Sequence, residues 1–182
     1  LLSAARHDLY FLPERFIPPY FLTGRDFLKY SATLHGVVFD AQMVAAKVAA
    51  LELDEVALGR PVRQYSKGMA QKLGLAAAFA SGKSLLVLDE PMSGLDPKAR
   101  ILVKRQLLAE RKAGRTVFLT THMLADVQAL CDRMAVLHGG RVVFAGAPDE
   151  CLSTFGGDDL EHAFLNCLST APDPTRQFLP TN

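Results

Sequence analysis

The sequence predicts an α/β fold, a parallel sheet layered with helices behind a mostly helical first third. Three observations predict it. Ser84-Leu85-Leu86-Val87-Leu88-Asp89 is an unbroken aliphatic run, the pattern of a strand covered on both faces in a parallel sheet. A second run, Thr116–Thr121, follows a helical stretch that opens at Asp96-Pro97 and stops at Gly114, so strand, helix and strand alternate. The first third carries its apolar residues at helical rather than alternating intervals.

Taken in order, Leu9–Leu12 is a short strand that stops at Pro13, and Pro18, Pro19 and Gly24 mark a loop. Thr23 is placed to cap a helix, with Asp26 three residues on. Its expected apolar face is Phe27, Tyr30 and Leu34, ending at Gly36. Asp40 opens a second helix with Met43, Val44, Val48 and Leu51 on one side, and Gly59-Arg60-Pro61 reads as a loop. Ser66 caps a third helix, whose stripe is Met69, Leu73, Ala76, Ala77 and Ala80, closed by Gly82. Pro97 at a first helical position opens the helix between the two strand runs. Leu124, Val127 and Cys131 mark another helix. Met134–Leu137 and Arg141–Phe144 flank Gly139-Gly140, a two-residue hairpin turn. Past Gly156-Gly157 come an amphipathic segment through Leu160, Phe164 and Leu168 and an end rich in Pro and Thr, read as frayed.

Composition narrows the function classes. A chain of 182 residues buries about 70% of its unfolded surface and needs no disulfide staples. Twenty Lys+Arg balance 19 Asp+Glu, so no basic surface for nucleic acid or anionic lipid is indicated. The longest charge-free apolar stretch, Leu73 to Gly82, falls short of the about 20 residues that cross a bilayer. Three cysteines, Cys131, Cys151 and Cys167, lack a C-x-x-C spacing, which fits a reducing cytoplasm.

Ligands of open α/β sheets gather at the carboxyl ends of the strands. Here one strand ends in Asp89-Glu90 and the other in Thr120-Thr121-His122. Adjacent carboxylates at a strand end suit a Mg²⁺–phosphate site: one acid holds the metal, the other orients a nucleophile. The helix start Tyr65-Ser66-Lys67-Gly68-Met69 offers backbone N–H groups and a positive dipole end, a seat for phosphate. Gly82-Lys83-Ser84 resembles the close of a P-loop, but position 77 is Ala77 and a helix precedes it where a strand should. It reads as a connecting loop.

The ordered set Tyr65–Met69, Leu85–Pro91, Ser93-Gly94-Leu95-Asp96 and Thr120-Thr121-His122 closely resembles the ATP-binding cassette (ABC) ATPase family, over roughly residues 8 to 150. Cys131-Asp132-Arg133 before a hairpin matches the usual close of that cassette. The resemblance implies a P-loop NTPase-like sheet with a helical subdomain. It divides the chain into 1–12, the end of an N-terminal core; 13–82, a helical subdomain; 83–150, a catalytic core; and 151–182, a tail. Ser66–Met69 takes the place of the signature motif, Leu85–Glu90 of the Walker B strand, Ser93–Asp96 of the D-loop and His122 of the switch histidine.

The roles the family implies follow residue by residue. Asp89 holds Mg²⁺, Glu90 orients the attacking water, and His122 contacts the γ-phosphate of ATP. Ser66, Lys67, Gly68 and Met69 meet the nucleotide held by a second ATPase subunit in a head-to-tail dimer, and Asp96 communicates across it. Glu14 stands at the Q-loop glutamine position, where a carboxylate can still ligate Mg²⁺. The loop from Glu14 to Thr23 and the helices behind it would meet an integral membrane permease, placing the protein at the inner face of the cell membrane. Tyr65, Lys67 and Met69 replace the commonest signature residues, a variant resembling the bacterial branch that exports drugs, lipids or polysaccharides.

Two features depart from the pattern. No Walker A loop and no adenine-stacking aromatic occur in these 182 residues. The sequence, which opens at Leu1 rather than Met, is therefore expected to be the back part of a cassette. On that expectation apolar sheet surface is uncovered near Leu9–Phe11 and Leu85–Leu88, and tight Mg-ATP binding by these residues alone is not expected. The alternatives are a soluble, non-transporter ABC ATPase and a catalytically incompetent cassette fragment.

Overall fold

Strand β1 (Leu9–Leu12), β2 (Leu85–Asp89) and β3 (Thr116–Thr120) form a three-stranded parallel sheet in the order β1-β2-β3. A computed structural model describes residues 8–170 of the chain. The expectations for Leu1 and for the Pro- and Thr-rich end lie outside the described residues. The chain divides after Thr120 into two compact units.

In the first unit the register pairs Phe11 with Val87 and Val87 with Phe118. Side chains alternate across a sheet, so Tyr10, Leu12, Leu86 and Leu88 share one face and Phe11, Val87 and Phe118 the other. The first face is covered: Leu12, Leu86 and Leu88 are 0% exposed. The second is open, with Phe11 52% and Phe118 59% exposed. The Ser84–Asp89 run, expected to be buried on two faces, is therefore covered on one, and β3, formed by the second run, exposes Thr116, Phe118 and Thr120. Unbroken aliphatic sequence reports what a strand tolerates, not what the described residues lay against it.

Helices α1 (Gly24–Leu34), α2 (Ala41–Ala50) and α3 (Lys67–Ala80) precede β2. Thr23 caps α1 by accepting from the Asp26 amide at 3.1 Å, while its hydroxyl donates to the Asp26 carboxylate at 2.6 Å. The buried face of α1 is Phe27, Leu28 and Ser31, not the expected row through Tyr30 and Leu34, which are exposed. Ser31 shares a 3.2 Å hydrogen bond with the Tyr10 hydroxyl, whose ring stacks on His35 at 4.3 Å. The contact with β1 thus rotates α1 away from its most apolar stripe. Asp40 caps α2 through the Gln42 and Met43 amides, each at 2.9 Å.

α3 lies on the covered face. A Cβ on Gly74 would sit 2.8 Å from both Leu12 Cδ1 and Phe16 Cδ1, so only glycine lets the helix approach β1 this closely. Lys83, in the decoy Gly82-Lys83-Ser84, is buried and its ammonium donates to the His35 carbonyl at 2.7 Å. It connects α3 to β2, as its sequence context indicates. α4 (Pro97–Lys112) then crosses over to β3. Arg115, at the entry to β3, donates to the Phe79 carbonyl at 2.8 Å, to Ala78 at 3.3 Å and to Lys83 at 2.7 Å. These include carbonyls left without helical partners at the end of α3. Glu110, 4% exposed, accepts from Arg115 and from Lys47 of α2, both at 2.7 Å. One buried carboxylate thereby joins α4 to α2 and to the entry of β3.

The second unit carries α5 (Leu124–Leu130), the antiparallel hairpin β4 (Met134–His138) and β5 (Arg141–Gly146), α6 (Pro148–Phe155) and α7 (Leu160–Thr170). Gly139 and Gly140 both have positive φ, 55° and 74°, as the tight hairpin turn requires. Val127, Cys151, Leu160 and Ala163 form a small core with Phe144 and Phe155 packed on it. Cys151 and Cys167 are buried thiols outside any disulfide. Burial pushes the Cys151 and Cys167 thiols above their ordinary range. At the start of α7, Asp159 accepts from the His162 amide at 2.9 Å and pairs with its imidazole at 2.8 Å. Among the described residues no helix is long and apolar enough to cross a membrane.

Candidate functional site at the carboxyl edge of the sheet

Parallel pairing delivers all three strand ends to one edge. β2 ends at Asp89, which the register sets opposite Thr120, the last residue of β3. The Thr120 hydroxyl donates to Asp89 Oδ1 at 2.5 Å and accepts from the Glu90 amide at 3.0 Å. The first contact has the length of a charge-assisted bond to carboxylate. Glu90 has φ +44°, left-handed backbone that costs a non-glycine residue roughly 1–2 kcal/mol. Strain of this kind persists where its surroundings over-determine it, and it clusters at functional sites. Here the holding contacts are the Thr120 hydroxyl and a turn closed by the Ser93 amide on the Glu90 carbonyl at 2.9 Å.

The start of α3 reaches the same turn. Ser66 caps the helix by accepting from the Met69 amide at 3.2 Å, and Tyr65 anchors the entry by donating to the Ala57 carbonyl at 2.7 Å. Buried Gln71, one turn into α3, donates to the Pro91 carbonyl at 3.0 Å. The Lys67 stem lies across Gly94: a Cβ there would be 2.8 Å from Lys67 Cε and 2.9 Å from Cδ. Gly94 has φ +72°, a backbone conformation that favours glycine. Asp96 closes the turn and caps α4 through the Ala99 amide at 2.9 Å. That hydrogen bond holds the Asp96 carboxyl below its usual range. Ser66, Lys67 and Gly68 thus stand at the helix start beside the turn through Glu90, Gly94 and Asp96.

The other residues singled out from sequence lie nearby in the chain. Glu14 is exposed two residues beyond β1, at the same carboxyl edge. Met69 is half-buried in the first turn of α3. His122 follows β3 by two residues, is exposed, and belongs to the second unit. Sequence reasoning named Thr120 and Gly94 only as members of their motifs, without a role of their own, and passed over Gln71. The polar end of an apolar strand was a signal for Thr120; Gln71, inside an amphipathic helix, gave none.

The donor set fits magnesium and phosphate. Asp89 and Glu14 are hard oxygen donors, and Mg²⁺ sites use one or two carboxylates plus substrate phosphates rather than an all-protein cage. Among the described residues no group of three or more His, Cys, Asp or Glu gathers as a metal cage. The α3 start adds N–H groups for an anion.

Comparison with known proteins gives the same outline. The family described as "AAA domain, putative AbiEii toxin, Type IV TA system" matches residues 6–124. An uncharacterised ABC transporter ATP-binding protein of Nostoc sp. is 39% identical over 140 residues, 74% of this chain and 41% of that protein. The Nod factor export ATP-binding protein I of Rhizobium etli is 33% identical over 154 residues, 80% of this chain and 49% of that protein. The chain thus spans less than half the length of these curated relatives. A solved ATP-binding subunit of an ABC transporter superposes with TM-score 0.80 at 27% identity, over 91% of this chain and 70% of that one.

Proposed function

The chain belongs to the ATP-binding cassette ATPase family, with an AAA domain over residues 6–124, and we propose that it serves as part of the ATP-hydrolysing subunit of an exporter. The observation that carries this reading is the Asp89–Glu90 pair, held at the strand end by Thr120 and joined to the α3 start by the Gln71–Pro91 hydrogen bond.

In this reading Asp89 and Glu14 hold Mg²⁺, which neutralises charge on the ATP phosphates. Glu90, which follows the strand on a left-handed backbone, accepts a hydrogen bond from the attacking water and orients it towards the γ-phosphate. His122 contacts that phosphate. Ser66 and Gly68, with the N–H groups of the first turn of α3, bind the nucleotide presented by a second ATPase subunit. Lys67 spreads over the D-loop instead of standing clear of it, and Met69 closes the first turn. Asp96, ionised across the working pH range, fixes the D-loop to α4 and communicates across the dimer. Exposed Ile17, Tyr20 and Phe21, in the loop from Glu14 to Thr23, supply the apolar surface for a membrane permease. This reading places the protein in the cytoplasm against the membrane's inner face.

Glu90→Gln in the complete protein tests the reading. It keeps shape and hydrogen bonding but removes the negative charge beside the γ-phosphate. ATP turnover is expected to fall about 10²–10⁴-fold while ATP binding persists. Near-normal turnover would overturn the assignment and leave His122 as the candidate for orienting water.

A further inference from the structure

We propose that Thr120 is a positioning residue that sets the Asp89–Glu90 pair for catalysis; the proposal rests on the ATPase reading above. One hydroxyl performs two tasks. As a donor to Asp89 Oδ1 at 2.5 Å it fixes the rotamer of the carboxylate assigned to the metal. As an acceptor from the Glu90 amide at 3.0 Å it holds the φ +44° backbone of the residue that carries the next carboxylate. A hydroxyl has one hydrogen and two lone pairs, so both bonds form at once without conflict.

The Ser93 turn holds Glu90 from one side, and Thr120 links it to Asp89 from the other. Asp89 and Thr120 are direct partners in a parallel ladder and project from the same sheet face. Thr120 is itself exposed, so its hydroxyl is not there to satisfy a buried polar atom. β-Branching keeps its side chain in few rotamers, which suits a residue whose oxygen must stay between two partners. Loss of the hydroxyl would let Asp89 turn and Glu90 relax, displacing two reacting groups without removing either. A misplacement of about 1 Å can cost on the order of 10²-fold in rate.

Valine and serine at position 120 separate the hydroxyl from the shape. In the complete protein, Thr120→Val is expected to lower ATP turnover about 10–100-fold. It should also raise the Mg²⁺ concentration needed for half-maximal rate and leave the melting temperature near that of the parent. Thr120→Ser keeps the oxygen and should restore both rate and Mg²⁺ dependence. Hydrogen exchange at the Glu90 amide supplies a readout independent of turnover: faster in the valine variant, unchanged in the serine variant. Loss of activity in the serine variant equal to that in the valine variant would overturn the proposal, because the hydroxyl would then be irrelevant. So would a valine variant with parental turnover and Mg²⁺ dependence, whatever its exchange rate. If Glu90→Gln abolishes turnover while Thr120→Val leaves it intact, the positioning role alone fails. If the complete protein hydrolyses no ATP, the ATPase reading fails and takes this role with it.

Discussion

The two faces of the three-stranded sheet were built from the same kind of residue and ended in opposite states. Leu12, Leu86 and Leu88 on one face are sealed, Leu12 against α3, whereas Phe11, Val87 and Phe118 form an apolar row that the described residues leave largely open. Asp89 and Thr120 continue the open row, not the sealed one, at its carboxyl end. The difference teaches where each kind of energy sits. Cohesion is concentrated on the covered side, and the reactive groups stand at the end of a face that contributes little to it.

Removing Glu110 should show the covered side at its strongest. Glu110→Ala leaves Lys47 and Arg115 without their shared carboxylate, and breaking a buried pair this way costs about 3–5 kcal/mol. A urea melt of the variant should show a correspondingly lower midpoint at unchanged slope. A loss below about 1 kcal/mol, the range of exposed ion pairs, would mean the network does not anchor that side.

A paired substitution across the sheet sharpens the contrast. Leu86→Ala should cost about 2–5 kcal/mol, while Phe118→Ala, on the open row, should stay within about 0.5 kcal/mol. Equal losses in the same denaturation experiment would show that the open row is covered in solution, since an apolar patch of this kind invites association.

The smallest effect lies away from both faces. Asp159 raises the His162 pKa above its ordinary 6.5 by hydrogen bonding, and the His162 amide holds the Asp159 pKa below its ordinary 3.8. The histidine contribution is complete below pH 6.5 and is lost as pH rises through the raised value. The aspartate contribution is complete above pH 3.8 and is lost as pH falls through the lowered value. The pair is therefore fully formed from about pH 4 to about 6.5. Ring-proton NMR should place the His162 midpoint above that of a free histidine, and Asp159→Asn should bring it back towards 6.5 without changing the sheet.

Local signals in the sequence were the reliable ones. Thr23, Asp40, Ser66 and Asp96 each cap the helix they open, because a cap is decided by a side chain and an amide two or three residues apart. Strand order was less accessible. The exposure of Phe118 depends on what covers β3, which no property of Thr116–Thr120 records. Helix α6 was passed over although Pro148, Asp149 and Glu150 form an ordinary helix start. The buried row of α7 is Leu160, Ala163 and Cys167, with Phe164 and Leu168 only half-covered. At the site, the acids and the α3 start were legible from residue type and order. Thr120 became significant only when the register set it opposite Asp89, and the Arg115–Glu110–Lys47 cluster joins residues up to 68 positions apart in sequence without any local mark.

The pairing of Asp89 with Thr120 also says something about when the site comes into being. Thirty-one residues separate the two in sequence, and a parallel pair cannot close until the intervening helix has crossed over and docked. Slipping β3 by a single residue so that Leu119 faced Asp89 would turn Thr120 to the other side of the sheet. A misregistered chain could bury almost as much hydrocarbon and still lack the hydroxyl between the two acids. A molecule with that strand alignment reaches the end of folding without the contact that sets Asp89 and Glu90, so the hydroxyl between them marks correct assembly of the two strands.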